Sequence, residues 1–146
     1  MKNILEQFWS WCKLSPHEYA DVGMNQNKGE FEDDFPLFDE IISSSKEIID
    51  SNILDLSTLN NLLSMMALDN ESETILNYIE EHSSNEQLNK IIELGIYHLQ
   101  PHARWQIAEL LYRRKPSDFI LCLNVLSNDN HEYVKRRAKN CLEFLE

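Results

Sequence analysis

From residue 56 onward the apolar side chains come in triplets spaced i, i+3, i+4, and the triplets themselves return about every thirty residues. At an offset of 31, Leu88, Ile91, Ile92 and Leu94 fall on Phe119, Cys122, Leu123 and Val125. The same offset lays Ala103, Ile107, Leu110 and Leu111 on Val134, Ala138, Cys141 and Leu142, and Arg104 on Lys135. One step earlier, an offset of 29 lays Leu59, Leu62 and Leu63 on Leu88, Ile91 and Ile92. The inner spacing is that of one helix face. One such triplet is commonplace, but several in a single register predict helix pairs that bury their apolar faces against the next pair. The fold expected is all-α: a short solenoid of three to four antiparallel helix pairs, with a helical N-terminal cap.

Breakers are scarce enough for this reading, with three Gly and four Pro in 146 residues. The periodicity places a first helix at 2–13, ended by Pro16. Further helices are expected near 36–51, 56–68, 71–83, 86–99, 101–114, 116–127 and 131–145. Pro36, Pro101 and Pro116 sit at starts, where a missing N–H does little harm. Ser57, Asn70, Asn85 and Asn130 are the expected N-caps. Residues 14–35 read as a long loop, and long loops in compact domains are often functional. The organisation is one domain, 1–146, with an N-terminal helix and acidic loop (1–35) followed by the helical repeats (36–146).

The segment "HARWQIAELLYRRK" (102–115) is apolar on two faces. Ala103, Ile107, Leu110 and Leu111 form one stripe, and Trp105, Ala108 and Tyr112 lie on another. A helix of that kind belongs in the inner layer of a stack, against both neighbouring units. "ARWQIAELL" (103–111) and "VKRRAKNCL" (134–142) resemble the second helix of a HEAT-type repeat: a small or β-branched residue, Arg or Lys, two variable positions, a small residue, then Leu. Ile107 departs from that pattern, although Ala108 is adjacent. The units are also shorter than the roughly 40 residues usual for HEAT repeats. The resemblance covers 56–146 and weakens toward the N-terminus. It implies that Arg104 satisfies neighbouring backbone or acidic groups.

The net charge of −12 is unevenly spread. Residues 1–100 hold 19 acidic and 5 basic side chains, and residues 101–146 hold 6 and 8. Repulsion from phosphate argues against nucleic acid as the main ligand and makes a basic protein the natural partner. Three scattered cysteines, without a CxxC pair, suggest neither a disulfide framework nor a zinc ribbon. They fit a reducing compartment, and a cytoplasmic location is expected. No apolar run approaches the ~20 residues that span a bilayer, so no membrane role is expected.

Catalytic chemistry has little footing. His98 and His102 are four apart, but Pro101 intervenes and no third ligand follows, so no metal site is expected. No Ser-His-Asp or Cys-His constellation, phosphate loop or paired acidic motif can be assigned, which leaves no catalytic residue and no cofactor to name.

The suggestive stretch is "GEFEDDFPLFDE" (29–40). Glu30, Glu32, Asp33, Asp34, Asp39 and Glu40 alternate with Phe31, Phe35, Leu37 and Phe38. Carboxylates steer a cationic surface and embedded rings such as Phe35 anchor it. The competing reading is a solvated loop whose phenylalanines plug the first helix onto the stack. Glu71 and Glu73, with Glu80 and Glu81, extend the acidic face. Small size, acidity and HEAT-like repeats together resemble bacterial immunity proteins that accompany polymorphic or contact-dependent toxins. The resemblance implies a non-enzymatic inhibitor that covers the basic cleft of a toxin, a nuclease above all. The alternatives are a HEAT-like adaptor or scaffold, and an enzyme: a protein similar to the DNA-alkylation repair glycosylases, which bind DNA through a basic concave surface, or a lyase-type repeat protein acting on a chromophore or peptide. The oligomeric state stays open.

Overall fold

The structure is a computed structural model that describes residues 3–22 and 31–145. Among these residues the chain is helical, without a strand. In order come α1 (Ile4–Cys12), α2 (Pro16–Val22), a 3-10 turn (Phe31–Asp34), α3 (Phe38–Asp50), α4 (Leu56–Leu68), α5 (Thr74–His82), α6 (Asn85–Gly95), α7 (Pro101–Arg114), α8 (Phe119–Leu126) and α9 (Glu132–Phe144). The all-helical expectation holds, and α4 and α7 start and end at the expected residues.

The largest correction lies in 14–35, where the sequence predicts a loop. Pro16 does not simply break the first helix; it opens α2. Ser15 Oγ accepts from the Glu18 backbone N–H at 3.1 Å, and Glu18 Oε1 accepts from the Ser15 N–H at 2.9 Å. That reciprocal pair is a capping box, with proline at the first helical position where its missing N–H costs nothing. The signal stands in "SPHE". The first helix itself ends at Lys13, which takes a left-handed conformation at φ 61°.

The caps also shift by a residue or two from those expected. Asp55, rather than Ser57, caps α4, its Oδ2 accepting from the Thr58 N–H at 2.9 Å. Ser84 precedes Asn85 as the cap of α6, and His131 replaces Asn130 at α9. Asn70 caps nothing; Asp69 Oδ2 takes the Ile75 N–H at 2.8 Å, and the Asn70 amide donates to the Ala67 carbonyl. α6 stops at Gly95, four residues before the expected end, and leaves 96–100 as a connecting loop.

α7 occupies the centre. Ala103, Trp105, Gln106, Ile107, Ala108, Leu110 and Leu111 are all buried, and α7 packs against α4, α5, α6, α8 and α9. α4 is central in the same way to the preceding elements, packing against α1, α3, α5, α6 and α7. Gly95 permits the close approach of α6 to α7: a Cβ there would meet Ile107 Cγ1 at 2.5 Å. Three buried glutamines tie the layers through backbone carbonyls. Gln87 donates to Ile48 and Ile53, Gln100 to Pro16, and Gln106 to Met66. Each amide N–H₂ thereby finds an acceptor on a neighbouring element, as a buried donor requires.

At the N-terminal end an aromatic cluster joins α1, α2 and the 3-10 turn. Phe8 meets Phe35 edge-on at 5.3 Å and Phe31 at 6.3 Å, and Trp11 stacks on Phe31 at 6.5 Å. The rings of the acidic stretch therefore serve as the plug of the competing reading. Tyr19 and Phe8 are fully buried within it.

Candidate partner-binding surface

The acidic stretch divides by burial. Glu30 lies outside the described residues. Asp33 and Asp34 stand exposed on the 3-10 turn, and Asp39 and Glu40 are exposed in the first turn of α3, where the helix dipole favours carboxylates. Glu32 and Phe35, both expected to meet a partner, are buried at 6 % and 5 % exposure. A 3-10 turn brings every third residue to one side, so Glu32 and Phe35 point inward together and Asp33 and Asp34 outward. The two inward residues support the surface without forming part of it.

Glu32 sits under the aromatic cluster, where Tyr19 Oη donates to its Oε2 at 3.3 Å and Oε1 has no hydrogen-bond partner. Burial in this apolar setting pushes its carboxyl up to about 7, against the opposing pull of hydrogen bonds from its own backbone, Tyr19 and Asn70. Desolvation likewise raises Asp69, and Asp33 adds a further upward push on both carboxyls. The 3-10 turn therefore lies against the α4–α5 loop, although the two are more than thirty residues apart in sequence. Glu71 is exposed on that loop. Glu73 belongs less to the surface: it is half-buried, left-handed at φ 55°, and 3.7 Å from Arg113.

The structure adds carboxylates to those singled out in the sequence. Glu47 and Asp50 are exposed on α3, seven and ten residues beyond Glu40, so the acidic face runs the length of the helix. The signal is the helical spacing in "DEIISSSKEIID", since a step of seven returns to nearly the same side. Asp50 is also a tie, with Tyr78 Oη donating to it at 2.7 Å and fastening α5 to α3.

The basic residues of the C-terminal half are largely engaged inside the molecule. Arg104 grips Asp129 through Nε at 2.8 Å and Nη2 at 3.2 Å, and its Nη1 donates to the His98 and Leu99 carbonyls. Arg114 collects the Glu80 and Ser83 carbonyls at the end of α5. Arg113 pairs with Glu80 at 3.1 Å, and Arg137 pairs with Glu109 while lying over the Trp105 ring at 4.4 Å. Exposed cations remain at Lys115 after α7 and at Arg136 and Lys139 on α9, and Arg113 is exposed beside its carboxylate partners. Arg104 thus satisfies both an acidic side chain and backbone carbonyls of the 96–100 loop.

One Ser-His pair invites a catalytic reading. Ser64 Oγ lies 3.3 Å from His98 Nε2. His98 Nδ1, however, accepts from the Gln100 backbone N–H at 3.0 Å. The neutral ring then carries its proton on Nε2 and donates to Ser64, the reverse of what a general base requires. Burial also pulls His98 down to about 4, so the ring stays neutral. His98 and His102 do not converge, because His102 Nδ1 accepts from Trp105 Nε1 at 2.9 Å. Among the described residues no group of three metal-ligating side chains comes together, and no helix is long and apolar enough to cross a membrane.

A second surface feature lies among residues outside the acidic stretch. A cleft of about 730 Å³ opens between α2, the 96–100 loop and the α8–α9 loop. Tyr97, 75 % exposed, and Leu99 and Val125 line it, and Leu121 on α8 is 64 % exposed. α8 has apolar residues all round and only one side to bury, which strands Ile120, Leu121 and Val125 in solvent. The chain matches no protein-family model, and no curated protein or solved structure is similar to it at a significant level.

Proposed function

We propose that the chain is a short HEAT-like solenoid of the immunity type, which binds a toxin in the cytoplasm and blocks its basic cleft, a nuclease being the target that best fits the charge. In this reading α4–α5, α6–α7 and α8–α9 are the repeated pairs, in the register that lays α4 on α6, α6 on α8 and α7 on α9, with α3 leading into them and α1 and α2 capping the stack. The carrying observation is the balance of exposed charge: Asp33, Asp34, Asp39, Glu40, Glu47 and Glu71 are exposed on the 3-10 turn, α3 and the α4–α5 loop, while Arg104, Arg113, Arg114 and Arg137 are held by partners within the chain. Such a surface favours fast, salt-sensitive association with a cationic protein and presents to a nuclease what a phosphate backbone presents. No substrate chemistry is assigned to the chain itself.

The test is capture from the native lysate with this chain as bait, at low and moderate salt, followed by assay of the recovered protein. One stoichiometric basic protein whose nuclease activity falls when the chain is added supports the proposal. A partner with no activity to inhibit, or several unrelated partners, sinks it. A HEAT-like adaptor is the second reading, favoured by the exposed Tyr97, Leu99, Leu121 and Val125, which offer a docking area apart from the acidic one. The glycosylase-like alternative has less support, since its basic surface would need guanidinium groups that are here bound to Asp129, Glu80, Glu109 and backbone carbonyls.

A further inference from the structure

Glu40, exposed on α3, lines a groove between α1, α3 and α4 with a volume of about 370 Å³. Along α3 the groove is walled by Glu40, Ser44 and Ile48, which succeed one another at i, i+4 and i+8 and so form one stripe ~12 Å long. Ile4 and Leu5 of α1 and Met65 of α4 add apolar lining, and Asn3, Gln7, Thr58 and Asn61 add polar lining. Ile4 and Ile48 are half-buried, so the apolar lining is reachable from solvent. Among the described residues no cation pairs with Glu40, and Lys46, the nearest basic residue along α3, lies over the Tyr78 ring at 5.3 Å. Glu47, seven residues on, shares the Glu40 side of the helix.

We infer that the α1–α3–α4 groove is the socket for one long cationic side chain, an arginine, of a basic protein partner. The inference rests on the proposed capture of such a protein and names the chemistry of its anchor. A groove of mixed lining, with apolar side chains beside one carboxylate and several amide and hydroxyl oxygens, matches a side chain with a methylene stem and a charged head. Arginine suits it better than lysine, because a planar guanidinium binds a carboxylate through two N–H groups and can reach the neighbouring acceptors at the same time. A purely apolar occupant would strand Glu40 against an uncharged surface, and a second copy of this chain would bring another −12 of charge to the contact. The volume is at the small end of ligand-sized clefts, ~300–1,000 Å³, which fits one inserted side chain better than a whole helix.

The test needs no knowledge of the partner. The ¹⁵N-labelled chain is titrated with Ac-Gly-Arg-Gly-NH₂ and with the same peptide carrying citrulline or norleucine. Amide shifts concentrated at Glu40, Ser44, Ile48, Asn61 and Met65, with the arginine peptide binding at least about five-fold more tightly than citrulline, are expected for a partly screened charge pair. Glu40→Gln should remove that preference, while Glu86→Gln, an exposed acid on α6, should leave it intact. Ser44→Trp, which fills the groove, should abolish binding of all three peptides, with helicity checked by circular dichroism. Shifts spread evenly over the acidic face, equal binding of arginine and citrulline, or equal effects of Glu40→Gln and Glu86→Gln would each overturn the inference. Failure here beside stoichiometric capture of a basic protein removes the socket alone. Specific arginine binding with no captured protein removes the inhibitor reading and leaves the socket.

Discussion

Replacing Glu32 by glutamine should stabilise the protein above neutral pH and do little in acid. The carboxyl is held at about 7 in the folded state against an ordinary value of 4.5. A group raised by folding contributes its stability fully below its unfolded value and loses it as pH rises through the folded value. Ionised Glu32 is therefore a burden that grows between pH 4.5 and about 7. At 1.36 kcal/mol per pH unit that interval corresponds to about 3 kcal/mol, or about 2 once partial solvent screening is counted. Glutamine keeps a carbonyl oxygen for Tyr19 Oη and has no charge to desolvate. Urea unfolding followed by tryptophan fluorescence gives the readout, since Trp9 and Trp11 border the cluster. The difference in unfolding free energy between variant and parent should be near zero at pH 4.5 and about 2–3 kcal/mol in favour of the variant at pH 8. Parallel pH profiles for the two proteins would refute the reasoning, because the slope would then belong to another group. Asp69, also raised by burial, shifts both profiles alike and does not alter their difference.

Arg104→Met should cost about 3 kcal/mol in urea unfolding, because it leaves the carboxylate of Asp129, only 9 % exposed, without its cation and with the His131 N–H as its remaining donor, and releases two loop carbonyls; a cost below 1 kcal/mol would mean that solvent serves those groups as well. Gly95→Ala should destabilise by about 1–3 kcal/mol through overpacking on Ile107, and Ile107→Val in the same chain should recover some of that loss. Strict additivity of the two changes would show that the contact is not the cause. Reversing Asp33 and Asp34 to lysine should leave the circular dichroism spectrum unchanged and slow association with a captured partner in a biosensor, with little change in dissociation. An unaltered association rate would remove the 3-10 turn from the recognition surface.

Helical class and the inner position of α7 can be read from residues alone, because both follow from local periodicity. Ala103, Ile107, Leu110 and Leu111 repeat at helical spacing beside a second apolar face, and all four are fully buried. The α2 capping box is equally local, and weighing Pro16 as a stop instead of a start hides it. The acidic stretch is legible as charge but not as geometry. Whether Glu32 or Asp33 faces inward depends on the phase of one short turn against the rings of α1 and α2, a matter settled by packing across α1, α2 and the turn. The same holds for the cations. "YRRK" reads as a basic patch in one dimension, yet Arg113 and Arg114 find Glu80 and the end of α5 only when α5 and α7 are packed together. Sequence by itself determined the helical class and the buried stripes of α4 and α7, since those depend on neighbours three and four positions away. Tertiary structure alone decided which charges remain at the surface, because a charge is cancelled by whatever the fold brings within ~4 Å, at any distance along the chain.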